Sequence, residues 1–121
     1  MKKAILVVDD SETIIDLLNF TLERENFDVY TANSVEKALK FLDGRLINLI
    51  ITDLHMPGYS GIDFTRQVRL ISEYRLIPIL LLTTETRVEQ KKIAKEAGAT
   101  GWIVKPFVPE KLMNGIRKLI R

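Results

Sequence analysis

Four places in this 121-residue sequence carry side chains able to act together, and each lies just after a short apolar run. Asp9 and Asp10 follow AILVV, Asp53 follows LIIT, Thr83 and Thr84 end the run PILLLTT, and Lys105 follows GWIV. An ionised carboxylate at the mouth of a buried strand is costly unless something pairs with it. Three carboxylates against one ammonium leave a charge of about −2, which a divalent cation neutralises. An all-oxygen donor set suits Mg²⁺, a small hard ion that keeps several waters and takes one or two carboxylates plus phosphate oxygens. A carboxylate can also attack phosphorus, giving an aspartyl-phosphate. The new oxygens of that product need a metal, an ammonium and a hydroxyl to hold them, and Mg²⁺, Lys105 and Thr83 supply those three.

Each residue has a plainer explanation on its own. An Asp pair after a strand caps the next helix, where acids favour the positive end of the dipole. An Asp before a Pro/Gly loop forms turns. A Lys before Pro is a solvated side chain, and a Thr at a strand end reflects β-propensity. What these explanations leave unaddressed is the joint placement.

That placement depends on the elements. AILVVD (4–9), FDVYTA (27–32), LIIT (49–52), PILLLT (78–83) and GWIVK (101–105) are short and rich in apolar and β-branched residues, so they predict strands. Between them lie helical patterns. SETIIDLLNFTLERE places Ile14, Leu17, Leu18 and Leu22 at helical spacing behind the N-cap Ser11. Ser34 caps SVEKALKFLDG, with Val35, Ala38, Leu39 and Leu42 on one face and Gly44 at its stop. IDFTRQVRLIS, RVEQKKIAKEAG ending at Gly98, and PEKLMNGIRKLI opened by Pro109 complete the set. Five strands alternating with five helices predict an α/β fold, a parallel sheet with helices on both faces. In such sheets ligands bind beyond the carboxyl ends of the strands. The acids, the threonines and the lysine therefore converge on one edge.

Composition sets the remaining limits. Hydrophobic residues make up 46% of the chain and charged residues 28%, enough for one domain that buries roughly two-thirds of its unfolded surface. A net charge of +2 lacks the dense basic stripe of a nucleic-acid binder. With no Cys there is neither a disulfide nor a thiolate metal site. The apolar run after MKK is too short for a signal-peptide core, and no segment has the length of a membrane span.

VVDDS, ITDLHMPGYSG, LLTTET and GWIVKPF together resemble the receiver domain of two-component response regulators, most closely the stand-alone CheY-like kind, over essentially all of residues 1–121. The resemblance implies a sheet order of 2-1-3-4-5 and a phosphoryl switch, a signalling protein rather than an enzyme with its own substrate. Asp53 is then the residue phosphorylated by a sensor histidine kinase or a small donor. Asp9, Asp10, Asp53 and the backbone carbonyl of His55 hold Mg²⁺. Thr83 and Lys105 contact the phosphoryl oxygens, and Trp102 stands at the position of the aromatic that turns inward with the Thr. The surface that changes lies between the fourth helix, the fifth strand and the fifth helix, where Lys91, Lys92, Lys95, Lys111 and Lys118 suit an acidic partner.

Some positions depart from the chemotaxis pattern. His55, the only histidine, replaces the usual Asn; Thr84 is bulkier than the usual Ala, Gly or Ser; Trp102 replaces Tyr or Phe. His55, Thr84 and Glu85 are expected to modulate the lifetime of the phosphorylated state. Rival classes lack their own marks. A small Mg-dependent aspartyl phosphatase of the haloacid-dehalogenase type needs a second Asp where His55 stands. A P-loop enzyme needs GxxxxGK[ST], and a flavodoxin-like carrier a Ser/Thr/Gly-rich loop where DDSET lies. Arg121 directly follows the last helical pattern, so the expectation is a cytoplasmic, monomeric, single-domain protein without nucleic-acid or membrane partners. Its downstream partner is the flagellar motor switch, a histidine phosphotransfer domain in a relay, or some other target. The surroundings of Glu85 and Lys105–Pro106–Phe107 favour the chemotaxis output.

Overall fold

AILVV and LIITD are apolar up to their ends, so both faces of each need covering. In the computed structural model, which describes residues 2–120, they are the fully buried strands β1 (Ala4–Val8) and β3 (Leu49–Asp53). β2 (Asp28–Ala32) pairs with β1 at one edge. A short antiparallel pair, β4 (His55–Met56) and β5 (Tyr59–Ser60), follows β3. β6 (Ile79–Thr83) and β7 (Gly101–Val104) complete the main sheet, whose order is β2-β1-β3-β6-β7 with every pairing parallel. Counted among themselves, the five sheet strands run 2-1-3-4-5, as the resemblance implies. The register is what matters for the site. Val8 lies opposite Thr52, Asp53 opposite Leu82 and Thr83 opposite Val104, so Asp9, Asp53, Thr83 and Lys105 leave the sheet at the same level.

The helices are α1 (Glu12–Arg24), α2 (Val35–Phe41), α3 (Gly61–Arg69), α4 (Val88–Ala97) and α5 (Pro109–Leu119). Ser11 and Ser34 cap as expected, their hydroxyls accepting from the amides of Ile14 and Lys37 at 3.3 and 3.1 Å. Successive strand residues face opposite sides. Leu6, Val8 and Ile50 therefore pack with Ala38, Phe64 and Val68 on one face. Ile5, Val7, Leu49 and Ile51 pack with Leu18, Leu22, Leu112 and Ile116 on the other. Helices cover both sides, which is why the central strands stay apolar until Thr52, Asp53 and Thr83 at their carboxyl ends.

Three local expectations shift. Leu17 is 41% exposed, because Leu18 and Leu22, one turn apart, already fill the inward stripe of α1. The third helix starts at Gly61 behind a cap at Ser60, whose hydroxyl accepts from the Asp63 amide at 3.1 Å. It ends at Arg69 rather than running to Ser72, and a single 3₁₀ turn at Ser72–Tyr74 follows. That turn buries Tyr74, whose hydroxyl donates to the Arg45 carbonyl at 2.7 Å and accepts from the Gly44 amide at 2.9 Å. No helix among the described residues is long and apolar enough to cross a membrane.

Candidate functional site at the carboxyl edge of the sheet

β1, β3, β6 and β7 deliver their terminal groups to one shallow acidic cup. Asp9 and Asp53 are almost fully withdrawn from solvent, and Asp10 is exposed. The Lys105 Nζ reaches in from the end of β7, 3.1 Å from Asp9 Oδ2 and 3.4 Å from Asp53 Oδ1. Its backbone is fixed by the Lys105 amide, which donates to the Thr83 carbonyl at 2.7 Å. Asp9 has both oxygens engaged, since Oδ1 accepts from the Ser11 amide at 2.9 Å. Asp53 and Asp10 are freer: among the described residues nothing hydrogen-bonds Asp53 Oδ2 or the Asp10 carboxylate.

The electrostatics follow from this crowding. Burial, and then the Asp9 charge, push the Asp53 carboxyl above its ordinary value; Lys105 pulls the other way and Asp10 adds to the rise. Burial works against the charge on Lys105, but the Asp9 and Asp53 carboxylates outweigh it and raise its pKa. The cup therefore sets three carboxyl groups against the single cation Lys105. One carboxylate oxygen each of Asp9, Asp10 and Asp53 lies within 4.8 Å of the others. A hard divalent cation fits this all-oxygen donor set, and the unpartnered Asp10 carboxylate is a ready ligand for it.

The rim is built from the loop after β6. Thr83 is buried, its Oγ1 accepting from the Glu85 amide at 3.0 Å, which leaves the hydroxyl proton to donate into the cup. Thr84 is exposed. The Glu85 carboxylate accepts from Arg87 Nε and Nη2 at 2.8 and 2.9 Å and from the Arg87 amide at 3.0 Å; this fork holds its pKa down at about 2. Its Oε1 lies 4.0 Å from the exposed His55 Nε2. Trp102 is half-buried on β7, its indole N–H donating to the Glu85 carbonyl at 3.0 Å, with the Lys91 Nζ 5.9 Å from the ring centroid. The Lys105–Pro106 peptide is cis.

Asp9, Asp10, Asp53, Thr83 and Lys105 thus sit at this edge, with His55, Thr84, Glu85 and Trp102 around it, whereas Lys91, Lys92, Lys95, Lys111 and Lys118 are spread along α4 and α5. Two supports were not singled out. Ser60 and Gly61 start α3 directly under Asp53, and the Gly61 amide donates to the Leu54 carbonyl at 2.7 Å. Ser60 three residues before Asp63 was a readable capping signal. Arg87, which orients Glu85, was not readable, since a contact two residues apart across a loop has no periodicity to announce it.

Residues 5–117 match the response regulator receiver domain, and the chain belongs to that family. The transcriptional regulatory protein PhoP of alkaline phosphatase synthesis in Bacillus subtilis is 37% identical over 121 residues, all of this chain and 50% of that protein. The phosphate regulon regulator PhoB of Rhizobium meliloti is 35% identical over 121 residues, all of this chain and 53% of that protein. The chain spans about half the length of the curated relatives it matches. The structure of chemotaxis protein CheY4 of Vibrio cholerae superposes with a TM-score of 0.95 at 39% identity, covering 99% of this chain and 100% of that one.

Proposed function

We propose that this receiver is switched by phosphorylation of Asp53, with Mg²⁺ held by Asp9, Asp10, Asp53 and the His55 carbonyl, and that its phosphorylated form binds a downstream protein. The observation that carries the reading is Lys105 Nζ set between Asp9 and Asp53, which leaves Asp53 Oδ2 unengaged beside an excess of negative charge. Asp53 Oδ2 attacks the phosphorus of a phosphohistidine or a small donor as the bond to the leaving group breaks. Asp9, Asp10, Asp53 and the His55 carbonyl would hold Mg²⁺, which when bound would supply the positive charge that offsets the carboxylates as the phosphoryl group approaches. Lys105 and the Thr83 hydroxyl hold those oxygens in place.

The new group brings close to two negative charges and three strong acceptors. Thr83 turning to donate to one of them moves the loop whose Glu85 carbonyl already holds the Trp102 indole, so the two residues form one bistable element. The exposed Lys91, Lys92, Lys95, Lys111 and Lys118 give the surface of α4 and α5 a basic character suited to an acidic partner. The first reading is a chemotaxis or motility output in a cytoplasmic monomer; the likeness to the chemotaxis protein CheY4 supports that output. Coupling to transcription is the second reading, favoured by the regulators of which this chain spans half. Passage of the phosphoryl group to a histidine phosphotransfer partner is the relay alternative.

Trp102, the only tryptophan, provides the test. Mg²⁺ with beryllofluoride should change its emission in the wild type, much less in Thr83→Ala and not at all in Asp53→Asn. An unchanged wild-type spectrum despite proven binding of the mimic would make Trp102 a fixed packing residue and remove the switch.

A further inference from the structure

The two ends of α4 are held very differently. At its start Arg87 occupies the cap position with no side-chain hydrogen bond to the helix, and Val88 is 75% exposed. No residue from Val88 to Ile93 is buried. At its end Ala94 and Ala97 are buried with Leu54, Ile62 and Leu81, and Gly98 closes the helix at φ +110°.

Arg69, the last residue of α3, collects that closed end. Its Nε and Nη2 donate to the Gly98 carbonyl at 3.1 and 2.7 Å. Its Nη1 reaches the carbonyls of Tyr74, Arg75 and Ile77 at 3.2, 3.2 and 2.6 Å. Among the described residues no carboxylate pairs with this half-buried guanidinium, so backbone oxygens and the negative end of the α4 dipole supply its counter-charge. Gly98 is required on two grounds, its positive φ and the absence of space. A Cβ there would stand 2.9 Å from Arg69 Cγ and Nε. The other end of α3 is tied one residue past Asp53 through the Gly61 amide and the Leu54 carbonyl.

We infer that Arg69 makes the C-terminal end of α4 a fixed pivot, so that a rearrangement begun at Thr83 swings the N-terminal half of the helix while its far end stays attached to α3. The inference rests on the phosphoryl-switch reading above and says where that switch moves the molecule. The start of α4 is uncapped and exposed, whereas two hydrogen bonds from Arg69 hold the Gly98 carbonyl at its end and three more tie Arg69 itself to the carbonyls of Tyr74, Arg75 and Ile77, an arrangement that lets the helix move as a lever. The exposed lysines Lys91 and Lys92 lie on the moving half, and Lys95 lies close to the pivot.

Hydrogen–deuterium exchange on the full chain, with and without Mg²⁺ and beryllofluoride, tests this in the wild type, Arg69→Met and Arg69→Lys. In the ligand-free protein, Arg69→Met should speed exchange of the Gly98, Ala99 and Thr100 amides about ten-fold or more, as expected when charge-assisted hydrogen bonds are lost. Arg69→Lys keeps the charge without the fork, so it should shift the same amides less, and it carries the comparison if Arg69→Met does not fold. In the wild type the mimic should alter exchange over residues 84–93 and leave 97–100 as they were; in the variants the change should spread to 97–100. A wild-type change at 97–100 as large as that at 84–93, or a variant whose response stays confined, overturns the pivot alone. Absence of any response in a wild type that binds the mimic overturns the switch and the pivot together.

Discussion

At the scale of single residues, the site is an acidic cup with too little positive charge of its own. Because burial and Asp9 raise the Asp53 pKa, the folded metal-free protein disfavours ionised Asp53. A raised folded-state pKa contributes stability that is complete below the ordinary carboxylate value of 3.8 and is lost as pH rises through the shifted one. Asp53→Asn should therefore raise Tm by a few degrees without metal at neutral pH. The gain should fade as pH falls into the carboxylate range and shrink when Mg²⁺ stabilises the wild type; a lower Tm for the variant under metal-free neutral conditions would contradict the repulsion. The two N-terminal acids should also separate. Asp9 already accepts from Lys105 and the Ser11 amide, whereas Asp10 is exposed and has no hydrogen-bond partner among the described residues. Asp10→Ala should weaken Mg²⁺ binding by about ten-fold, at least as much as Asp9→Ala, when titrated calorimetrically. A clearly larger effect at Asp9 would reverse the assignment.

At the scale of elements, the strand ends position the chemistry and the loops between them adjust it. Gly61 is the tightest junction: a Cβ there would fall on the Asp53 carbonyl oxygen. Gly61→Ala should cost about 1–3 kcal/mol through this clash, a drop of several degrees in Tm, and should reduce beryllofluoride affinity because the strain lands on Asp53 itself. A variant with unchanged Tm and affinity would mean the loop yields freely. The sequence made the five strands and five helices legible because buried parallel strands read as apolar runs and capped helices announce their starts at Ser11, Ser34 and Pro109. It also made the chemistry legible, since every acid, hydroxyl and lysine of the site follows such a run. What it concealed were contacts made by tertiary packing. The inward stripe of α1 was already full, so Leu17 faces outward. β4 and β5 hold only two residues each, too few to show alternation. The Arg69 and Arg87 bonds depend on where the backbone turns, which no periodicity encodes.

At the scale of the whole molecule, a five-stranded sheet gathers four strand ends into one charged edge, and α4 and α5 carry exposed lysines. The family is fixed by the match over residues 5–117, and the phosphoryl chemistry is the claim on which the switch, its partner face and the α4 lever all depend. Mass spectrometry of the intact protein after incubation with a small phosphodonor tests that claim most directly. With Mg²⁺ present the wild type should gain the mass of a single phosphoryl group, and neither Asp53→Asn nor the wild type stripped of divalent metal should gain any. Labelling that persists in Asp53→Asn, or that proceeds equally well without metal, would contradict the account.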